Sequence, residues 1–588
     1  MLVTSKIEPL AQSQLYLFNN YNPYNFFNNT IVTTTPTSPT FTTTTTFTTT
    51  HIMHKLLKHF PIPFLLGALF ISLNVFGQEM PKTEPDPPKN WHQMDLKNDG
   101  FFGVSLNQAY QFLKGKKSKT VIVTTIDSGI DTLQKDLVSV LWVNPNKNDI
   151  YVGDVHGWDF LGGKDGKVDY TETTEEVRQY FKLKNKYATV AIAPAGQEKE
   201  FAFWQSVKAT YDSTTSKDQN EIKELTTEVN VLSATNYYIK RALKLQSDQT
   251  FTKTDLDKIA ASNDTLSQSK TVWESVFSQI GDSTTNAKVL KDLTEYYAKV
   301  NNDLNPDLDA RARIVGDDPD VNDGKPYGNN ILKTPDASHG TGVAGLIGAE
   351  RNNGYGIDGI ADNVRIMSVK AVPNGDEYDK DIANAIHFAV DHGAEVVNMS
   401  FGKKVSPHKA WVDEAFKYAA AHDVLLVMAS GNDNQDIDAK PEFPNDHYLD
   451  GTTTDNVINV GASGPKADTT LAAGFTNYGK KNVDIFAPGV KVTSIDEDAE
   501  FNMADGTSFS SPIVSGIAAL ILEYYPKLSA RQVKQAILES ASPLQGTMVI
   551  KPGSKDEKID FTALSKTGGI VNAYRALLIA SKMKGERK

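Results

Sequence analysis

The chain has 588 residues, no cysteine, 40% hydrophobic residues and a formal net charge of −12 at pH 7. The missing thiols exclude disulfides, a cysteine nucleophile, cysteine metal sites and a cysteine-linked lipid anchor, which leaves apolar burial and bound ions as the candidate stabilisers. The acidic balance argues against a nucleic-acid partner, which needs clustered basic residues, and the length suits two or more domains at about 100–200 residues each.

Residues 1–52 are rich in Thr, Asn, Tyr and Phe, with Thr42 to Thr46 uninterrupted, and read as a disordered leader or an over-extended start. From Met53, the basic segment His54 to His59 precedes a mostly apolar run, Phe60 to Phe76. Residues 53–77 are therefore expected to be a signal peptide, cut between Gly77 and Gln78, with the mature protein periplasmic or extracellular. The run is shorter than the roughly 20 residues of a spanning helix and contains Pro61 and Pro63, so no permanent membrane anchor is expected. Residues 78–99 are polar and include Pro81, Pro85, Pro87 and Pro88, the composition of an extended linker.

An apolar strand from Val121 ends in Thr125-Ile126-Asp127-Ser128-Gly129. From about 165 to 312 the chain is charged, sparse in Gly and free of histidine, with apolar residues at helical intervals, as in Ile222, Leu225, Val229 and Leu232. Several helices, packed as a bundle or hairpins, are expected there. The acidic run Asp317, Asp318, Asp320 and Asp323 suits either calcium, through oxygen ligands, or a solvated loop. Next, Ser338-His339-Gly340-Thr341-Gly342 opens a helix of small residues; no Gly-Lys-Ser/Thr follows, so this is not a phosphate loop. A further apolar strand, Leu425 to Ala429, leads to Ser430-Gly431-Asn432, and Asp505-Gly506-Thr507-Ser508 opens a helix apolar enough to run through a core.

These runs form one chemical argument. A serine hydroxyl is a weak nucleophile at neutral pH, so an imidazole must take its proton as the bond to a carbonyl carbon forms. A carboxylate must then hold the imidazole's tautomer and stabilise its positive charge. Ser508, His339 and Asp127 fill these roles, and the Asn432 side-chain amide is placed to donate to the resulting oxyanion.

The four runs, in the order Asp, His, Asn, Ser, resemble the subtilisin-like serine proteases (subtilases, peptidase family S8), whose triad has this chain order. Val364 to Val372 is similar to that family's central strand. Glu395 to Gly402 is similar to the strand that edges its primary specificity pocket, and Phe475 to Gly479 and Asp484 to Gly489 to its late strands. One departure is Gly342, which stands where the family usually has a second histidine. The resemblance implies an α/β fold of three layers with a mostly parallel sheet, here carrying a largely α-helical insertion. It assigns 100–164 and 313–580 to the peptidase domain, 165–312 to the insertion and 581–588 to a basic tail. Many relatives carry a folding-assisting prodomain; none fits between Gln78 and Val121, so the insertion is expected to assist folding or to gate access.

The implied activity is serine endopeptidase hydrolysis of protein or peptide substrates through an acyl-enzyme. A transpeptidase on the same fold and a catalytically idle binding scaffold are the alternatives. Ser400, Phe401, Gly402, Ala429, Ser430 and Gly431 would form the substrate pocket, whose small and apolar groups suggest broad preference with apolar or aromatic side chains favoured. No cofactor is required for the chemistry. Calcium is an expected structural ion at most, with Asp136, Asn352 and Asn353 as its candidate ligands.

Overall fold

The computed structural model describes residues 86–146, 150–260, 263–281, 284–497 and 501–587. The expected leader and signal segment, and the first part of the expected linker, lie outside the described residues.

The strands β1 (Val121–Asp127), β2 (Gly157–Asp159), β3 (Val364–Lys370), β4 (Val396–Met399), β5 (Leu425–Ala429), β6 (Val457–Ser463) and β7 (Ile485–Pro488) form one sheet in the order β2-β3-β1-β4-β5-β6-β7. Every pairing in it is parallel, and β1 pairs with β3 from Val121↔Val364 to Asp127↔Lys370. Parallel strands are covered on both faces, which is why these segments read as nearly continuous apolar runs. A hairpin of β8 (Val492–Ile495) and β9 (Phe501–Ala504) stands apart from the sheet.

Helices α1 (Leu106–Leu113), α2 (Glu175–Tyr187), α3 (Glu198–Leu243), α4 (Asp264–Ile280), α5 (Asn286–Leu304), α6 (Ser338–Gly348), α7 (Asp379–Asp391), α8 (Lys409–Ala421), α9 (Thr507–Tyr524), α10 (Ala530–Ser540) and α11 (Ala573–Ala580) complete the main elements. Strand periodicity divides the core. Val123, Val396, Leu425 and Ile458 point to one face with Ile347 of α6 and Ile513 and Ile517 of α9. Ile126, Val369, Val397 and Leu426 point to the other, with Ile382 and Phe388 of α7 and Phe416 of α8. The three layers are thus helix, sheet, helix, and each large apolar side chain buried in them contributes about 1.5–3 kcal/mol.

The insertion is helical, as its periodicity predicts, but it is not one separate block. Thr227–Lys291 form a compact unit of their own, whereas the rest of the insertion belongs to the unit that carries the sheet. In the smaller unit Phe251 packs edge-on against Trp273 at 5.1 Å between ring centroids. In the larger unit buried polar links explain the boundary. Glu175 at the start of α2 pairs with Arg178 at 2.7 Å and with Lys403 at 3.4 Å, and Thr173 donates to Asp303 at 2.6 Å. Arg311 makes a two-pronged pair with Asp381 of α7 at 2.6 and 2.8 Å.

Two expected terminal segments are also tied down. Within the expected linker, Trp91 is fully buried and its indole N–H donates to the Lys491 carbonyl at 2.9 Å, so its described part, 86–99, is anchored at Trp91 to Gln93 while its flanks stay largely exposed. Its one large aromatic side chain supplies the burial that the proline-rich composition concealed. In the expected tail, Arg587 pairs with Glu395 at 2.5 Å and Asp423 at 2.9 Å. Among the described residues, no helix is long and apolar enough to cross a membrane.

Candidate active site

Asp127 is the last residue of β1, at the carboxyl edge of the sheet where open α/β folds place their sites. His339 is in the first turn of α6. Its Nδ1 lies 2.7 Å from Asp127 Oδ1, and because a carboxylate only accepts, Nδ1 carries the proton and Nε2 is left as an acceptor. Asp127 keeps 3% of its side-chain surface and His339 37%, so the carboxylate is sequestered while the imidazole faces outward. Asp127 Oδ1 also accepts the Ser128 N–H at 2.7 Å.

The close approach of α6 to β1 depends on Gly340: a side-chain carbon there would stand 2.0 Å from the Gly129 carbonyl oxygen. Buried Lys370 reinforces the same junction, donating to the Ser128 carbonyl at 2.5 Å and to Asp336 at 2.9 Å. Burial is the largest single influence on His339 and lowers its pKa. The charge of Asp127 and its hydrogen bond together outweigh it, so the pKa is raised above 6.5.

Ser508 is in the first turn of α9, where unpaired backbone N–H groups and the helix dipole favour negative charge. Gly506 precedes the helix at φ 155°, and a side-chain carbon on it would lie 2.9 Å from Ser508 Oγ. Glycine keeps that approach open. Phe509 packs edge-on against the His339 ring at 5.8 Å between centroids, which brings the start of α9 beside the imidazole. Of the two hydrogen bonds expected of the triad, His339 to Asp127 is formed, and His339 to Ser508 is not closed.

Asn432 follows β5 and reaches the same helix start. Its Oδ1 accepts both the backbone N–H and the hydroxyl of Thr507 at 2.9 Å. This orients Nδ2 away from Thr507 and leaves it to donate. Asn477, in the Phe475 to Gly479 run, shapes the loop behind it, donating to the Ser430 carbonyl at 2.9 Å and accepting from Asp433 and Gln435 N–H groups at 3.0 and 2.8 Å.

The expected pocket residues divide. Phe401, Gly402, Ala429 and Ser430 line one pocket, together with Glu442, Phe443, Asn445, Asp446, His447 and Asn459. Gly431 is beside it and donates to Thr507 Oγ1 at 3.1 Å. Ser400 instead points into the protein. Pro512 inside α9 has no N–H to return to the Ser508 carbonyl, and the Ser400 hydroxyl supplies the donor at 2.9 Å. Gly342 also has a local reason: the ring of Phe509 and the Ile495 carbonyl lie 3.4 and 3.3 Å from where its side chain would begin, so a side chain there would need these neighbours to shift by a few tenths of an ångström.

The candidate calcium ligands are arranged as a closed hydrogen-bonded loop. Asp136 accepts from Asn353 Nδ2 at 2.7 Å and from the Ile357 N–H at 2.8 Å, so Asn353 offers its amide nitrogen, not its oxygen, toward the carboxylate. Asn352 N–H donates to Asp358 at 2.7 Å. This donor set does not fit a calcium cage, which needs converging oxygens. Three residues of the acidic run are likewise engaged in ion pairs, Asp317 with Arg311 and Lys380, Asp320 with Lys182 and Asp323 with Lys325, and Asp320 also lies 2.7 Å from His408 Nε2.

Curated relatives share this sequence over its core. The thermophilic serine proteinase of Bacillus sp. (strain AK1) is 37% identical over 243 residues, 41% of this chain and 54% of the relative. The cell wall-associated protease of Bacillus subtilis (strain 168) is 32% identical over 40% of this chain and 24% of its own length. The alkaline protease of Alkalihalobacillus alcalophilus is 32% identical over 42% of this chain and 58% of its own. The chain thus spans about half the length of the first and third of these relatives and less of the second. The family model described as Peptidase_S8, Subtilase family, matches residues 118–567, well over half of the sequence, and on that match the chain belongs to the subtilase family.

Proposed function

We propose that the protein is an exported serine endopeptidase with Ser508 as nucleophile, His339 as general base and acid, Asp127 as the partner of the imidazole, and Asn432 as an oxyanion donor. The observation that carries this reading is the 2.7 Å bond from His339 to Asp127, made beside a helix start that bears Ser508 and holds Asn432. Ser508 Oγ bonds to the substrate carbonyl carbon as its proton passes to His339 Nε2, and Asn432 Nδ2 with the Ser508 backbone N–H stabilises the oxygen that becomes negative. The carbon–nitrogen bond then breaks, His339 gives its proton to the leaving amine, and a water molecule resolves the acyl-enzyme by the reverse roles.

The test is cleavage of a quenched peptide by the full chain and by Ser508→Ala. Hydrolysis by the first and its loss in the second, with unchanged circular dichroism, is expected; turnover that survives Ser508→Ala would overturn the assignment. Export is supported by the basic-then-apolar segment 53–77 and by a relative named as cell wall-associated. Sequencing of exported protein should find its N-terminus near Gln78, and a start upstream of Met53 would contradict this.

A further inference from the structure

The pocket beside Ser508 contains chemistry that the predicted apolar preference leaves out. Its walls are the segments of Phe401 and Gly402 on one side and Ala429 and Ser430 on the other. The second wall runs directly into Gly431, whose N–H bonds Thr507 next to Ser508. A side-chain carbon placed on Gly431 would lie 3.1 Å from Glu442 Oε2, and one on Gly402 would lie 3.6 Å from the same oxygen. Glu442 is therefore set between the two walls. Its other oxygen, Oε1, is shielded from solvent without a hydrogen-bond partner, and so is Asn459 Oδ1 in the same lining.

A carboxylate set between the two walls, with a second acceptor, Asn459, in the same lining, asks for a ligand that brings donors. An apolar side chain would leave both unmade, at the penalty of a buried polar group. A guanidinium or ammonium carries only donors, several of them, and a compensating charge. We propose that this pocket takes a lysine or arginine side chain from the substrate residue on the amino side of the cleaved bond, with Glu442 as its charge partner and Asn459 as a second acceptor. The aliphatic stem of such a side chain would lie along Phe401, Gly402 and Ala429.

The surrounding charges agree. The lining residues include two carboxylates, Glu442 and Asp446, one histidine and no lysine or arginine. Asp433 stands close by and is countered by Lys404 at 4.0 Å. Burial, then the neighbouring Asp433 charge and a hydrogen bond shared with Asp433, push the Glu442 pKa up to about 8, against the opposing pull of Lys404 and of an Asn477 hydrogen bond. The carboxyl therefore holds a proton at neutral pH that an entering cation would displace. A carboxyl so short of positive charge gains most from a cation that enters the pocket.

This inference rests on the proposed hydrolase reading, and two kinds of probe separate them. A fluorophosphonate without a side chain reports Ser508 alone. Peptidyl diphenyl phosphonates that differ only in bearing Arg, Lys, Leu or Phe next to the reactive phosphorus report pocket fit through their rate of attachment, without turnover. With the full chain, Arg and Lys probes should react about ten-fold or more faster than Leu and Phe probes. Glu442→Gln should collapse that ratio, and Glu442→Lys should invert it. An unlabelled Ser508 would overturn the hydrolase reading and this inference with it. Labelling by the simple probe with a Leu or Phe preference, or with a ratio that Glu442→Gln leaves unchanged, would overturn the Glu442 assignment alone.

Discussion

Removing one oxygen from Asp127 isolates what the buried carboxylate contributes. Asp127→Asn replaces the acceptor facing His339 Nδ1 with a group that can donate, so the imidazole loses the tautomer that leaves Nε2 as base. A fall in kcat of about 10⁴ is expected. The pH profile carries a second signature. His339 must be neutral to accept a proton, so activity is lost as pH falls through its pKa, which lies above 6.5. The acid limb of kcat/KM should therefore have its midpoint above 6.5 in the unaltered protein and move to lower pH in Asp127→Asn, where burial acts without the opposing charge. A limb that does not move would remove Asp127 from the assignment. Asn432→Leu should lower kcat by about 10²–10³ with KM little changed, a magnitude carried over from subtilisin. At this scale the sequence was readable because Asp127, His339, Asn432 and Ser508 each sit in a run of small residues that few other structures require. Glu442 was not, since Pro441-Glu442-Phe443-Pro444 has no motif and only the folded loop turns its carboxylate between two glycines. Thr507 also escaped notice, because its role is a hydrogen bond to a residue distant in sequence.

Between residue and molecule, the elements show how α9 holds Ser508, the proposed nucleophile, in place. Pro512 in a helical run is a readable sign that the Ser508 carbonyl lacks its usual donor, but not of which group replaces it. Ser400→Ala removes that donor and leaves the carbonyl buried. A loss of about 1–3 kcal/mol is expected, read as a lower Tm together with a lower kcat; a Tm change without a kcat change would make the contact purely structural. The insertion offers a comparable case. Its helices follow from the spacing of Ile222, Leu225, Val229 and Leu232, whereas its division at Thr227 and Lys291 does not, because the ion pairs that bind its ends to the sheet unit join residues far apart in sequence. Arg311→Ala would leave Asp381 fully buried without its guanidinium and is expected to destabilise the fold by about 3–5 kcal/mol. Chemical denaturation checks this, and an unchanged midpoint would mean that the pair adds nothing.

Across the whole molecule, the parallel sheet and its two helical layers were legible through the resemblance of the motif-bearing strand and helix runs to the subtilases. The packing of Trp91 was not, since a single aromatic in a proline-rich segment says nothing of which surface it meets. The same holds for the closed Asp136 loop, where residue types suggested oxygen ligands and the fold sets the Asn353 amide nitrogen toward the carboxylate. The central claim, that this fold brings Asp127, His339 and Ser508 together to attack a carbonyl, is tested most directly by trapping the acyl-enzyme. The full chain is mixed with an activated peptide ester, quenched in acid, digested and examined by mass spectrometry. The acyl group is expected on Ser508, absent in Ser508→Ala and slow to form in Asp127→Asn. An acyl group on another residue, or ester hydrolysis with no adduct on Ser508 in either protein, would contradict the account.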